Sequence, residues 1–268
     1  MYCQCQNGQH YCDNIAIMIQ SIERAADILE YLSDHPDEAA PATALAEQLN
    51  LNRSTAISIL KTLLARGYVE QIGPRQGYRL GPMAHYLVRH GPYAPDLVAA
   101  ATPVMNDLAT ELHESFVLAH LHRDQLFMLY QAQGDQVLTI RPDLIIAEAI
   151  YRTANGRLLL SYLGEQELQA FLLRKPVPDP EWPEAKDEAR LRHLLANIRA
   201  ADRYVDATPQ GVARASFPVR EDGKVVAALG LYAPAFRFTG RHRDHALKRL
   251  KEAATTIEQT LQSHRRGK

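Results

Sequence analysis

The strongest constraint on this chain lies between residues 42 and 67, where two short amphipathic stretches flank Asn50-Leu51-Asn52. The first, from Thr43, carries Leu45, Ala46 and Leu49. The second, Arg53 to Arg66, carries Ala56, Ile57, Leu60, Leu63 and Leu64 at helical spacing. So short a break allows only a tight turn, and two helices joined that way pack against each other as a helix-turn-helix. Thr43 is placed to cap the first helix and Gly67 to stop the second. Upstream, Ile22, Ala25, Ala26, Ile28, Leu29 and Leu32 predict another helix, capped by Ser21 and closed before Pro36. Downstream, Tyr68-Val69-Glu70-Gln71 and Tyr78-Arg79-Leu80 read as strands around a Gly73-to-Gly77 turn. Residues 18–81 are therefore expected to form a winged helix-turn-helix.

Charge assigns roles within it. From Gln20 to Leu51 one basic residue stands against seven acidic ones; from Asn52 to Leu80 five basic residues stand against one. The whole chain balances 30 Lys and Arg against 31 Asp and Glu, which excludes a protein that coats polyanions by bulk charge. A local patch must do the binding, and the basic half coincides with the second helix and the wing. The candidate DNA contacts are Asn52, Arg53, Ser54, Thr55, Ser58, Lys61 and Thr62 on the outward helix face, with Arg75 and Arg79 on the wing. The alternative is a module used for protein contact, its polar face only solvated.

Pro82 suits the start of a linker helix that Gly91 and Pro92 break, giving a linker over 82–94. The remainder, 95–268, mixes helical and strand patterns. Pro95 to His113 repeats Leu97, Ala101, Val104, Leu108 and Leu112 on one face. Strands are expected at Ser115–Leu121, Gln125–Gln131 and Gln136–Arg141, and helices at Thr153–Leu163, Glu165–Leu173 and Asp187–Ala201. Val212–Val219 and Lys224–Tyr232 form a hairpin through Glu221-Asp222-Gly223, and a last helix carries Leu247, Leu250, Ala254, Ile257 and Leu261. The expectation is an α+β domain around an antiparallel sheet.

Several of these motifs together resemble the IclR family of bacterial regulators. They are the run Ser21 to Leu29, Leu51-Asn52-Arg53-Ser54-Thr55 with Leu60-Lys61-Thr62-Leu63, and Gly67-Tyr68-Val69 followed by Tyr78-Arg79-Leu80-Gly81. The likeness continues to about residue 262. It implies a GAF-like effector-binding domain, a double-stranded DNA operator, and a homodimer or dimer of dimers. It also implies a pocket between the sheet and the helix near Thr153. There Tyr151 stands for the family's His and Arg157 for its Lys, and on the opposing strand Arg214 stands for its Cys. The candidate effector residues are Tyr151, Thr153, Ala154, Asn155, Gly156, Asp206, Arg214 and Ser216. A guanidinium at Arg214 can hold a carboxylate through two parallel hydrogen bonds, so the expected effector is a small organic acid. A salt bridge or a solvent-facing Arg214 is equally open, because strand facing is not fixed by one sequence.

Other chemistry is weakly signalled. Cys3, Cys5 and Cys12 lie with His10 in a segment, 1–17, expected to be a tail; their spacing fits zinc pairs poorly, and a thiol or metal sensor is the alternative. His120 and His122 share one strand face with His113 just before them, so a metal cluster is the alternative to ordinary sheet histidines; His242 and His245 read as groups at a helix start. Glu165 and Glu167 fall on a polar helix start. Neither a Gly-rich phosphate loop, a nucleophile elbow nor an HExxH pattern occurs. No cofactor, metal or catalytic role is expected, and a small-molecule enzyme with a protein-recruiting N-terminal module is the competing class. No apolar run approaches the roughly 18 residues of a membrane span, and a cytoplasmic location is expected.

Overall fold

The computed structural model describes residues 19–73, 76–88, 93–122, 124–135, 150–177, 180, 182–208 and 211–266. The chain divides into two compact units at His90/Gly91. The expected tail with its cysteines, the wing residue Arg75 and the expected strand Gln136–Arg141 lie outside the described residues.

The first unit runs α1 (Gln20–Asp34), α2 (Ala42–Gln48), α3 (Arg53–Ala65), β1 (Val69–Gly73), β2 (Gly77–Leu80) and α4 (Pro82–Val88). Ile28, Leu32, Leu45, Ile59, Leu60, Leu63 and Val69 form its core. In α3 the inward stripe is Ala56, Ile59, Leu60 and Leu63, whereas Leu64 is exposed and Ile57 half-buried. The expected stripe was rotated by part of a turn, an easy error in a helix whose apolar residues are crowded together. Two expected caps also differ. Ile19 and Pro41 hold the N-cap positions of α1 and α2, so Ser21 and Thr43 fall inside the first turns. α3 has a cap the sequence reading did not name: Asn52, whose Oδ1 accepts from the Ser54 amide at 3.2 Å. A bridge from Ala40 to Tyr78 extends the wing. Gly77 makes this possible: its φ is +97°, and a Cβ there would lie 2.7 Å from the Ala39 carbonyl oxygen.

The second unit begins with α5 (Pro95–Leu112), β3 (Ser115–His122) and β4 (Gln125–Ala132). It continues with α6 (Ala154–Leu160), α7 (Glu165–Arg174), α8 (Glu188–Ala201) and β5 (Tyr204–Ala207). It ends with β6 (Val212–Glu221), β7 (Lys224–Pro234) and α9 (Gly240–Arg266). The strands form one antiparallel sheet in the order β4-β3-β7-β6-β5. Asp222 and Gly223 both have positive φ, as a two-residue turn between twisted strands requires.

Alternation along the strands splits the interior in two. Phe116, Leu118, Ala215, Phe217, Leu229 and Leu231 pack with α5 and with Leu247, Leu250, Ala254, Ile257 and Leu261 of α9. Each such leucine stabilises the fold by roughly 1.5–3 kcal/mol relative to an exposed one. Val117, Ala119, Ala228 and Tyr232 face the other way, onto Leu158, Phe171, Trp182 and Leu191 from the α6–α8 side. The short edge strand β5 was not expected from sequence, and it carries Tyr204 and Asp206 to this second face.

Candidate functional site

Along α3, Asn52, Arg53, Ser54, Ser58, Lys61 and Thr62 are exposed and Thr55 is half-buried. The hydroxyls fold back onto the helix: Ser58 Oγ donates to the Ser54 carbonyl at 2.9 Å, and Thr62 Oγ1 to the Ser58 carbonyl at 3.1 Å. That leaves a shallow face flanked by the cations Arg53 and Lys61, a shape suited to close approach to a nucleic-acid groove. On the wing, Arg79 and Glu70 are cross-strand register partners, and Arg79 Nε donates to Glu70 Oε1. The one acidic residue of the basic half thus holds one of its cations.

The second unit gathers a buried polar cluster on the α6–α8 face of its sheet. Arg214 lies there, and its fork is filled: Nε donates to Asp206 Oδ1 at 2.7 Å and Nη2 to Asp206 Oδ2, while Nη1 donates to the Arg152 carbonyl. The salt bridge left open by the sequence is what the fold adopts. Arg157 joins the same carboxylate, Nη1 donating to Asp206 Oδ2 at 3.2 Å, and its Nε donates to the Tyr151 carbonyl at 2.6 Å. Tyr204 OH donates to Asp206 Oδ2 at 2.7 Å. The Arg157 guanidinium carbon sits 4.5 Å from the centre of the Trp182 ring, a stacking geometry for a cation on a π face. Tyr151 packs edge-on against Phe171 at 5.6 Å.

Burial sets the electrostatics. It pushes the Tyr204 hydroxyl up to about 12, the Asp206 charge adding to the rise against Arg157. It pushes Tyr232 up to about 12 as well, with Arg214 pulling the other way. Burial alone would make Arg214 easier to deprotonate, but its bonds to Asp206 outweigh that and raise it. Tyr204 and Tyr232 therefore stay neutral, and Arg214 stays charged, near neutral pH.

The other candidates have a different neighbourhood. Thr153 caps α6 by accepting from the Gly156 amide at 3.0 Å, and Ala154 is fully buried. Asn155 Nδ2 donates to the Val117 carbonyl at 3.2 Å and its Oδ1 accepts from Ser216 Oγ at 2.7 Å. Asn155 lies directly over Gly230, where any Cβ would collide with its amide oxygen. Asn155 and Ser216 thus pin α6 to the sheet and Thr153 caps it, whereas Tyr151, Asp206 and Arg214 meet in the polar cluster. Sequence reasoning left Arg157, Trp182, Tyr204 and Tyr232 out of the site. The brief Tyr204-Val205-Asp206 alternation, too short to stand out, was the local signal for the edge strand β5.

The histidines take mundane places. His120 Nδ1 is 2.8 Å from the Val226 carbonyl, and its ring centre is 6.4 Å from that of His122. Those at the start of α9 reach α5-side carboxylates rather than solvent alone, with His245 Nε2 at 3.0 Å from Glu111 and His242 Nε2 at 3.4 Å from Glu114. Glu167 caps α7 and Glu165 pairs with Arg192. Among the described residues no three His, Cys, Asp or Glu side chains converge to hold a metal ion. No helix among them is long and apolar enough to cross a membrane.

A winged helix-turn-helix with a basic outward face on α3, followed by a separate α+β domain, defines the class of DNA-binding regulators with a second domain. Residues 21–73 match the IclR helix-turn-helix domain, and residues 93–259 match the bacterial transcriptional regulator IclR C-terminal domain. The chain belongs to the IclR family of transcriptional regulators, which bind DNA. It is 31% identical over 233 residues to the HTH-type transcriptional regulator Rv1719 of Mycobacterium tuberculosis, covering 85% of this chain and 87% of that one. It is 35% identical over 154 residues to the HTH-type transcriptional regulator TtgV of Pseudomonas putida, a match spanning 58% of each. The crystal structure of an IclR homologue from Microbacterium hydrocarbonoxydans complexed with 4-hydroxybenzoate shares the fold. Its TM-score is 0.74 at 24% identity, covering 91% of this chain and 99% of that one.

Proposed function

We propose that this regulator is gated by a small organic acid held at the Arg157–Asp206–Arg214 cluster, and that it acts as a homodimer or dimer of dimers. One observation carries the reading: a buried guanidinium fork, Arg214, faces a site with aromatic neighbours and is closed by a carboxylate of the protein itself. An incoming carboxylate offers the same two acceptor oxygens as Asp206 and can exchange with it. The exchange frees β5 from β6 at Asp206 and gives the domain two arrangements that a ligand can distinguish. Only such a difference in affinity can shift an equilibrium. The 4-hydroxybenzoate bound by the Microbacterium homologue supports the acid class. Residues 18–81 then read DNA through α3 and the wing, 82–94 link, 95–268 sense, and 1–17 are a tail. Two winged modules read half-sites about one helical turn, or a multiple of it, apart. The protein is a cytoplasmic, non-catalytic switch, in keeping with relatives named as transcriptional regulators.

The test is a pair of titrations. Fluorescence anisotropy against duplex fragments flanking its own gene measures DNA affinity with and without 4-hydroxybenzoate, and calorimetry measures acid binding directly. The proposal expects acid binding to change DNA affinity, and Arg214→Ala to weaken acid binding. Unchanged acid affinity in that variant, alongside altered DNA binding, would remove Arg214 from the pocket.

A further inference from the structure

The hydrogen bonds at the start of α3 decide which side chains of its outward face are still able to read a base. The Ser54 amide and the Ser54 hydroxyl both donate to Asn52 Oδ1, at 3.2 Å and 3.1 Å. An amide N–H can only donate, so the atom it meets is the Asn52 oxygen, and both lone pairs of that oxygen are taken. The protons of Ser58 and Thr62 are likewise spent, on the Ser54 and Ser58 carbonyls. The stripe Ser54, Ser58 and Thr62 therefore offers a partner lone pairs and no hydroxyl proton.

These engagements separate the bases. An asparagine reads adenine with both ends of its amide, the oxygen accepting from N6 and the nitrogen donating to N7. Asn52 can do so only by giving up the cap of α3. Guanine shows two acceptors, N7 and O6, which a guanidinium meets with two parallel donors. Arg53 is exposed and is the first residue of α3, the end of such a helix that meets base edges. Lys61 lies about 12 Å further along the axis, at 1.5 Å per residue. Arg79 on the wing is already engaged by Glu70.

We propose that Arg53 reads a guanine in each half-site through N7 and O6, that Asn52 reads no base, and that Lys61 holds phosphate. The inference rests on α3 being the helix that faces DNA, and it adds which residue selects and for which base. Asn52 is then a positioning residue: its cap fixes the first turn of α3, which carries Arg53. A cation on phosphate attracts every sequence alike, whereas a contact to a base edge discriminates. The three roles therefore separate by experiment. The inference does not depend on the acid site.

Selection of bound duplexes from a randomised pool by the full chain, read by sequencing, tests this. The parent should recover a motif with a fixed guanine in each half. Arg53→Ala should reduce that preference by about tenfold or more, beyond the affinity that its lost charge costs every duplex. Lys61→Ala should keep the motif and weaken all sequences alike. Asn52→Ser preserves cap chemistry and should keep the motif too. In the recovered duplex, 7-deazaguanine removes the N7 acceptor without changing base pairing. It should weaken the parent and leave Arg53→Ala unaffected, and its effect on the parent decides the matter if a variant does not fold. A guanine preference that survives Arg53→Ala, a fixed adenine lost in Asn52→Ser, a parent indifferent to 7-deazaguanine, or no selected motif at all would overturn the proposal. Motif and salt dependence unchanged in all three variants would overturn the reading of α3 itself, and this inference with it.

Discussion

Asp206 on β5 and Arg214 on β6 are register partners, and the carboxylate accepts from both Nε and Nη2 of the guanidinium. The pair is a chelate built into the sheet edge, with Arg214 only 6% exposed. A buried pair of this kind contributes little over an apolar replacement, yet breaking one half leaves a charge stranded in a poor solvent. The site is therefore asymmetric toward mutation.

Asp206→Asn should destabilise the domain by about 3–5 kcal/mol, because Arg214 and Arg157 both lose their carboxylate. Adding Arg214→Met should recover part of that loss. Urea unfolding of the three proteins measures both effects. A single Asp206→Asn variant as stable as the parent would mean that solvent reaches the guanidinium.

Gly230→Ala should cost about 1–3 kcal/mol by driving Asn155 off the sheet, away from the Val117 carbonyl and Ser216. In an Asn155→Ala background the same change should cost much less, since the colliding amide is gone. The double-mutant cycle, read by thermal unfolding, isolates this coupling. Additive losses would contradict the packing described.

For DNA binding, Arg53→Ala with Lys61→Ala should lower affinity for every sequence. It should also flatten the dependence of log K on log salt by about 0.9 for each lost phosphate contact. Glu70→Gln should act in the opposite direction by releasing Arg79 from its cross-strand partner. Anisotropy over a series of salt concentrations reports all three residues. Unaltered slopes in the double variant would exclude α3 as the phosphate-facing element.

Alkaline pH offers a check on the buried tyrosines. Tyr232 titrates at about 12 in the fold against an ordinary 10.0, because burial disfavours the phenolate. Between those values the unfolded chain has shed a proton that the native one retains, so stability falls as pH rises. The contribution is complete below about pH 10 and is lost toward about 12, at roughly 1.4 kcal/mol per pH unit for this residue. Tyr232→Phe should flatten that decline in a series of urea curves. Phenolate absorbance appearing in the native protein at its ordinary pH would show the ring to be hydrated.

Much of the architecture was legible from residue order because it rests on local physics. Helical periodicity, the Gly67 stop and the Asp222-Gly223 turn each act within a few residues, so the sequence displays them directly. Errors arose where a distant partner decides. Ser21 and Thr43 had cap chemistry, but Ile19 and Pro41 took the cap positions. Leu64 looked inward until the packing of α3 exposed it.

The sequence by itself determined that this chain builds a winged helix-turn-helix with its positive charge on α3 and the wing, then a mixed domain on an antiparallel sheet. Only tertiary structure decided that Arg214 faces α6 and is already occupied. A strand shows both faces equally to its own sequence, and a four-residue edge strand, β5, carries too little periodicity to announce itself. Whether a guanidinium is open or filled depends on a register between strands. That register is set by the whole sheet.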